Sequence, residues 1–378
     1  MLNGEQDLDV NLNEYGIPHP DTGWSRGRTV IENAVFAPPV DDFGPYPTCG
    51  VFDKNGDVPT AAHWRENKRV SQPVCERPKP TAYLSGTHIY GGFLFGHFGH
   101  FLVESLTRLW VTDEPYAKSF LFMPRRENCK SFRSYQTAML DILAPDVPAQ
   151  LVSQAVEVER LIIPGQAFGL GAISRGTPEF RSMLRARMSK LPTNGPKKIY
   201  ISRTLHSAVG GVLNEEILEE NFAENGYTIM HPQKMSISEQ LIWYNSAEYI
   251  VGVDSSAFHL YAFVGRPDQK VALILRRNVD AVSHIVSQIE GMIERQPTII
   301  NSLVAEWMPE RYKFGFHQSL GEANHDDIRI KLISEGFLKS EKKWRVPTSD
   351  EALTAVRIGE KSKGETLVRR VLQKRIFA

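Results

Sequence analysis

The sequence predicts an α/β protein made of two Rossmann-like domains facing a cleft, followed by a helical C-terminal tail. Three observations carry that reading. The chain has 378 residues, 42% of them hydrophobic, which suits two ordinary cores. Beyond residue 191, short apolar β-rich runs alternate with helical stretches, the pattern of a parallel sheet. Between the halves lies LPTNGP (191–196), a Pro/Gly/Asn cluster of linker type. The domains are therefore drawn at 1–190 and 191–300, with a basic extension over 301–378.

Residues 1–80 hold ten of the 23 prolines. Proline breaks regular elements, so this stretch is expected to wrap the first domain, with short strands at 29–36 and 49–53. Strands at 81–90, 118–124 and 158–164 then alternate with helices at 96–110, 132–143 and 178–190. Past the linker, strands fall at 197–203, 227–232, 248–254 and 270–276. Helices between them fall at 213–226, closed by Gly226, at 236–247, opened by the capping-box pair Ser236 and Glu239, and at 255–263. A helix over 281–294 follows, and the rest reads as polar helices and loops.

Lys+Arg and Asp+Glu both number 44. That balance argues against a nucleic-acid partner, which calls for a basic excess. No apolar run approaches the roughly 18 residues of a membrane span. The opening MLNGEQDLDV has neither the basic nor the apolar region of a signal peptide. Cys49, Cys75 and Cys129 are too scattered for a disulfide framework or a zinc knuckle and fit a reducing cytoplasm. One asymmetry remains. Residues 339–378 carry eleven Lys/Arg against five Asp/Glu. This tail is either a solvated surface or a peripheral contact with the anionic inner face of a membrane or with an anionic glycan.

In GGFLFGHFGHFLVESLTRLW (91–110), a helix starting near Gly96 puts His97, His100, Glu104 and Arg108 on one face. Glu104 can hold His100 in one tautomer and raise its basicity, as a general base near neutral pH requires. The base is left open among His97, His100 and Glu104. Two other readings stand beside it. The stripe is a set of buried polar groups satisfying one another, or it is a zinc site of a metal-dependent hydrolase built on His97, His100 and Glu104. No further ligand and no HExxH supports the zinc site. Glycines 91, 92, 96 and 99 either admit a ligand close to the backbone or serve as turns.

In the second half, Arg203 ends the first strand, where such sheets present their ligands and where a guanidinium suits a diphosphate. Asn214 reads as an N-cap, with Glu215 free to face the cleft. In VGVDSSAFH a strand turns directly into a helix, a start that suits phosphate. Ser255 and Ser256 add hydroxyls there and His259 a ring donor, although capping by Asp254 or Ser255 would also explain the turn. GxGxxG and GxxxxGK[ST] are absent, and the one Asp-x-Asp is Asp7-Leu8-Asp9. No cofactor and no metal is therefore expected, and arginine with a helix start would carry any diphosphate charge.

Taken together, GHFGHFLVESLTRLW (96–110), KIYISR (198–203), LNEE (213–216) and the stretch from SISEQ to GVDSSAFH (236–259) resemble glycosyltransferase family 61. The likeness is to its bacterial branch of capsular polysaccharide biosynthesis proteins. The resemblance implies a GT-B architecture, with the acceptor on the N-terminal domain and the nucleotide-sugar donor on the C-terminal one. It also implies inverting transfer to a glycan or lipid-linked glycan. Residue by residue, His100 and Glu104 match a Gly-His-x-x-x-Glu signature and Arg203 a Ser-Arg. Asn214 and Glu215 match an Asn-Glu pair, and His259 a histidine of bacterial members. Two departures, Gly210-Gly211 for a basic residue and Ser255 for a turn glycine, are the support for an inactive nucleotide- or glycan-binding relative.

Overall fold

The computed structural model describes residues 16–40, 43–72, 76–111, 114, 116–339 and 342–372. Cys75, Asp7, Asp9 and residues 373–378 of the basic tail lie outside the described residues. The chain divides into two compact units, Met1–Arg187 and Met188–Ala378. Among the described residues no helix is long and apolar enough to cross a membrane.

The first unit has strands β1 (Arg28–Ala37), β2 (Gly50–Phe52), β3 (Trp64–Arg65), β4 (Lys68–Arg69), β5 (Ala82–Leu94), β6 (Phe120–Pro124), β7 (Ala149–Leu151) and β8 (Val156–Pro164). Six of them form one sheet in the order β2-β1-β8-β5-β6-β7. The strands from β8 to β7 are parallel, whereas β1 and β2 are antiparallel additions. The proline-rich lead-in is thus more than a wrapping, because it extends the sheet and supplies the β3/β4 hairpin. One face of the sheet is a core that includes Phe36, Val51, Tyr90, Phe93, Leu121, Met123, Val158, Leu161 and Ile163. Leu121 and Met123 on β6, and Leu161 and Ile163 on β8, stand two apart, as one buried face of a pleated sheet requires.

Helix α1 (Phe98–His100) runs directly into a π-helical turn, Phe101–Ser105, and α2 (Ser134–Leu143) and α3 (Pro178–Met188) follow. The long helix expected over 96–110 is therefore short. The π turn takes an extra residue per turn, and the 3.6-residue register of the expected stripe is lost after Glu104. Two of the glycines serve packing and backbone rather than a ligand. A Cβ on Gly91 would lie 2.8 Å from the Phe122 ring, and Gly92 adopts φ +87°. The ladder with β6 shifts register there.

The second unit has β9 (Lys198–Ile201), β10 (Gly211–Val212), β11 (Thr228–Met230), β12 (Tyr249–Val253), β13 (Lys270–Ile274), β14 (Thr298–Ile300), β15 (Leu303–Met308), β16 (Leu320–Ala323) and β17 (Val368–Val371). Its helices are α4 (Glu215–Glu224), α5 (Ile237–Ser246), α6 (Ala257–Val264), α7 (Val282–Ile293), α8 (His325–Ser334) and α9 (Ser349–Lys363). A five-stranded sheet in the order β11-β9-β12-β13-β14 is parallel throughout, the Rossmann-like arrangement expected. The capping box at Ser236 is present, with Glu239 N donating to Ser236 Oγ at 3.2 Å.

Residues beyond 300 are not a separate helical extension. They form three strands, and β10, β16, β15 and β17 make a second sheet. Ile328, Leu332, Phe337, Leu338 and Trp344 pack in one core with Tyr200, Phe222, Val251, Val253, Ala272 and Ile274. Asn221 of α4 holds the returning chain at Arg345, accepting from its N at 3.0 Å and donating to its O at 2.8 Å. The basic excess of the tail is partly neutralised in the fold, because Lys342 pairs with Glu224 (2.7 Å), Arg345 with Glu220 (3.4 Å) and Arg369 with Glu322 (2.7 Å).

Candidate active site

The first cluster forms where β5 ends. Glu104, in the π turn, is 1% exposed. Its Oε2 accepts from His100 Nδ1 at 2.5 Å and from an Arg65 terminal nitrogen at 3.0 Å. Its Oε1 accepts from Arg65 Nε at 2.7 Å and lies 3.2 Å from His63 Nε2. Burial alone would push this carboxyl up, but the hydrogen bonds from His100, His63 and Arg65 outweigh it and hold the group far below the usual carboxylate range. Burial keeps His63 neutral by lowering its pKa, against the pull of Glu104. Inside the same turn, Ser105 Oγ accepts Phe95 N at 2.9 Å and so ties the turn to the strand end.

His100 presents a side chain 45% exposed and stacked on Phe95 at 5.8 Å. With Nδ1 engaged by the carboxylate, Nε2 is the atom left to take a proton. His97 is exposed and meets the His100 ring edge-on at 5.3 Å, so the two histidines are brought together. Arg108 departs from the expected stripe. It is fully buried, lies over the Tyr90 ring at 5.0 Å and donates to the carbonyls of Ala62, at 2.8 Å, and Pro164. Its work is structural. Among the described residues no three His, Cys, Asp or Glu side chains assemble as a metal-holding group, so the zinc reading of His97, His100 and Glu104 finds no ligand set.

The second cluster lies at the carboxyl ends of β9, β12 and β13. Arg203 follows β9 and donates to Gly210 O through Nε (3.3 Å) and a terminal nitrogen (3.1 Å). Burial, with Arg276 nearby, lowers its pKa to about 10, so it stays charged at neutral pH. Asp254, after β12, does not cap α6. Its Oδ2 accepts Arg276 N at 3.0 Å, and its Oδ1 lies 3.4 Å from Arg276 Nε and 4.0 Å from Arg277 Nε. Arg276 also reaches His317 O at 3.0 Å, while among the described residues Arg277 Nε is buried without a hydrogen-bond partner. Two guanidiniums therefore face one carboxylate, and Arg203 feels its charge. The two that follow β13 were not singled out in the sequence, although the strand-end argument used for Arg203 applies equally to them.

Among the described residues Ser255 Oγ is buried without a hydrogen-bond partner, and neither Ser255 nor Ser256 caps α6 through its side chain. His259 is turned towards α7, its Nδ1 2.5 Å from Gln288 Oε1. The expected side-chain cap at Asn214 is not made. The residue takes a left-handed backbone (φ 56°), and its Nδ2 donates to Glu351 O at 3.3 Å beside a groove of about 370 Å³ lined by Leu213, Leu320, Ala355 and Ile358. Glu215 is buried rather than exposed. Its Oε1 accepts Arg203 N at 2.7 Å and Tyr200 OH at 3.2 Å, and burial raises its pKa to about 8. It orders the turn that carries Arg203. Gly210 has φ +93°, and a Cβ there would come 2.8 Å from an Arg276 terminal nitrogen. The departure from a basic residue thus coincides with a guanidinium from β13.

Residues 98–272 match the family model described as Glycosyltransferase 61, which supports the resemblance read from the sequence. The match includes His100, Glu104, Arg203, Asn214, Glu215, Asp254 and His259. It stops short of His63, Arg65, His97, Arg276 and Arg277. No curated protein matches the chain.

Proposed function

We propose that the protein is an inverting glycosyltransferase that uses a nucleotide-sugar and no metal, with the GT-B arrangement and a role in capsule or other surface polysaccharide assembly. The observation that carries the proposal is the clamped carboxylate of Glu104 beneath a half-exposed His100, within the segment that matches the family. Nε2 of His100 takes the proton of an acceptor hydroxyl as that oxygen bonds to the anomeric carbon. The bond from that carbon to the donor phosphate breaks on the opposite face, and the nucleoside diphosphate leaves with the electron pair. Arg203 and Arg277, with Ser255 Oγ, supply charge and a donor for that leaving group, a preorganised substitute for a cation. Glu215 supports Arg203 rather than touching the donor, and Asn214 ties the start of α4 to α9 at Glu351. His259 braces α6 and α7.

The acceptor is a glycan or lipid-linked glycan, and the setting proposed is the cytoplasm, at the inner membrane face where such glycans are built. The ion pairs of Lys342, Arg345 and Arg369 leave fewer cations of the tail for that membrane than composition suggests. The test is a panel of nucleoside diphosphates and their sugars, read by thermal shift and then by transfer. His100→Ala should cost ~10²–10⁴ in kcat while diphosphate binding survives. Wild-type turnover in that variant would remove the base assignment. Binding of a nucleotide-sugar without transfer by the wild type would favour the inactive relative.

A further inference from the structure

We propose that Arg65 is a positioning residue for this reaction: its forked contact keeps Glu104 in one rotamer and one charge state, and its own charge offsets the carboxylate's, so that His100 rather than Glu104 exchanges the proton. The use of that device rests on the glycosyltransferase reading, but its existence does not. Arg65 lies outside the stretch that matches the family.

The geometry is built for the purpose. β3 is only two residues long, yet it is fixed by the fully buried Gln166, whose Oε1 accepts Trp64 N and whose Nε2 donates to Trp64 O, both at 2.8 Å. The next residue, Glu66, turns with φ 55° and donates its N to Leu170 O at 3.1 Å. A Cβ on Gly171 would fall 2.6 Å from Glu66 Cα, so glycine there lets the 170 segment close against the hairpin. The guanidinium so placed lies 5.8 Å from the Phe95 ring, the same ring on which His100 stacks at 5.8 Å. One aromatic thus registers the arginine and the imidazole, and one carboxylate oxygen, Oε2, receives both.

The charged and titratable groups that face the pair come from every neighbouring element. They are His63 and Arg65 from the lead-in, His97 before α1, Arg108 after the π turn and Arg125 after β6. His63 is neutralised by burial. Arg108 is engaged by the carbonyls of Ala62 and Pro164, and Arg125 by those of Phe43, at 3.5 Å, and Pro45, at 3.0 Å. Among the described residues Arg65 is therefore the cation that grips Glu104 directly. Without it, a carboxylate almost shut off from water would face only the buried His63 and His100, and its pair with His100 would hold a proton more tightly.

The test uses the full chain labelled with ¹⁵N-histidine, following proton uptake by the His100 ring, assigned through its loss in His100→Gln. Arg65→Gln should take up that proton about one pH unit higher than wild type. Arg65→Lys, which returns the charge without the fork, should recover most of the difference. Titration of Arg65→Gln together with wild type, or of Arg65→Lys together with Arg65→Gln, would overturn the proposal. If Arg65→Gln does not fold, Glu104→Gln serves instead. Removing the anion should move uptake below that of wild type, and an unmoved titration would equally overturn the proposal. No donor or acceptor is needed, so a wild-type protein that transfers no sugar would fail the glycosyltransferase reading separately.

Discussion

The two charged clusters of this molecule are assembled by opposite logics. In the first unit, one buried carboxylate is met by a guanidinium and two imidazoles, so the charges close on themselves and the only freedom left is that of a proton on the exposed side of His100. In the second unit, Arg203, Arg276 and Arg277 outnumber Asp254, and among the described residues Arg277 Nε is buried without a hydrogen-bond partner. The first is a closed circuit suited to moving a proton. The second is an open one suited to receiving an anion. The difference teaches that count and commitment of hydrogen bonds, more than residue type, separate a base from an anion seat.

The comparison can be broken most forcefully at Glu104. Glu104→Ala leaves the buried His63 and the part-exposed Arg65 without their acceptor and should cost about 1–3 kcal/mol for each buried group left unsatisfied, read in the denaturant transition of the first unit. A loss within the range of an ordinary surface change would mean the circuit is not closed. Next in size is the contrast within the second cluster. Arg276→Ala leaves the buried Asp254 carboxylate without its main partner and should lower stability by roughly 2–4 kcal/mol. Arg277→Ala should leave stability nearly unchanged and weaken nucleoside diphosphate binding about tenfold or more by calorimetry. If the two variants behaved alike, the division between a structural and a ligand-seeking arginine would be wrong.

A smaller effect appears with pH. The Glu215 carboxyl, pushed up to about 8 by burial, is held protonated in the fold, whereas the unfolded chain releases that proton in the ordinary carboxyl range. Its stabilisation is complete at acid pH and is lost as the pH rises through about 8. Wild type should therefore lose urea resistance between mildly acid and alkaline pH, and Glu215→Gln should lose less. Parallel curves would show that Glu215 is ionised in the fold. Smallest of all, Lys342→Ala should cost at most about 0.2–1 kcal/mol, being an exposed pair with Glu224.

Much of this was legible in the sequence. Strands β9, β12 and β13 are short apolar runs because parallel strands are covered on both faces, and that signature survives without any tertiary information. His100 and Glu104 were legible because they lie four apart on a single turn. Their partners His63 and Arg65 were not, since they reach Glu104 across 41 and 39 residues from a strand too short to have a periodicity. Strands β15, β16 and β17 escaped for a related reason, since their half-polar sequences become strands only against one another. The tail's charge was legible as a sum, but net charge does not reveal which carboxylates lie across the fold.

The return of the chain across α4 has a consequence for how the protein is made. Trp344 and Leu367 are buried in the second unit, so that unit lacks part of its interior until those positions have left the ribosome. The first unit is complete at Arg187. At a synthesis rate of about 5–20 residues per second, the first unit has roughly 9–36 s to fold alone. Meanwhile the nascent β9, β12 and β13 wait for a helix and a tryptophan not yet translated. A ribosome that stalls late would therefore release a protein with a finished first unit and an exposed, aggregation-prone sheet in the second.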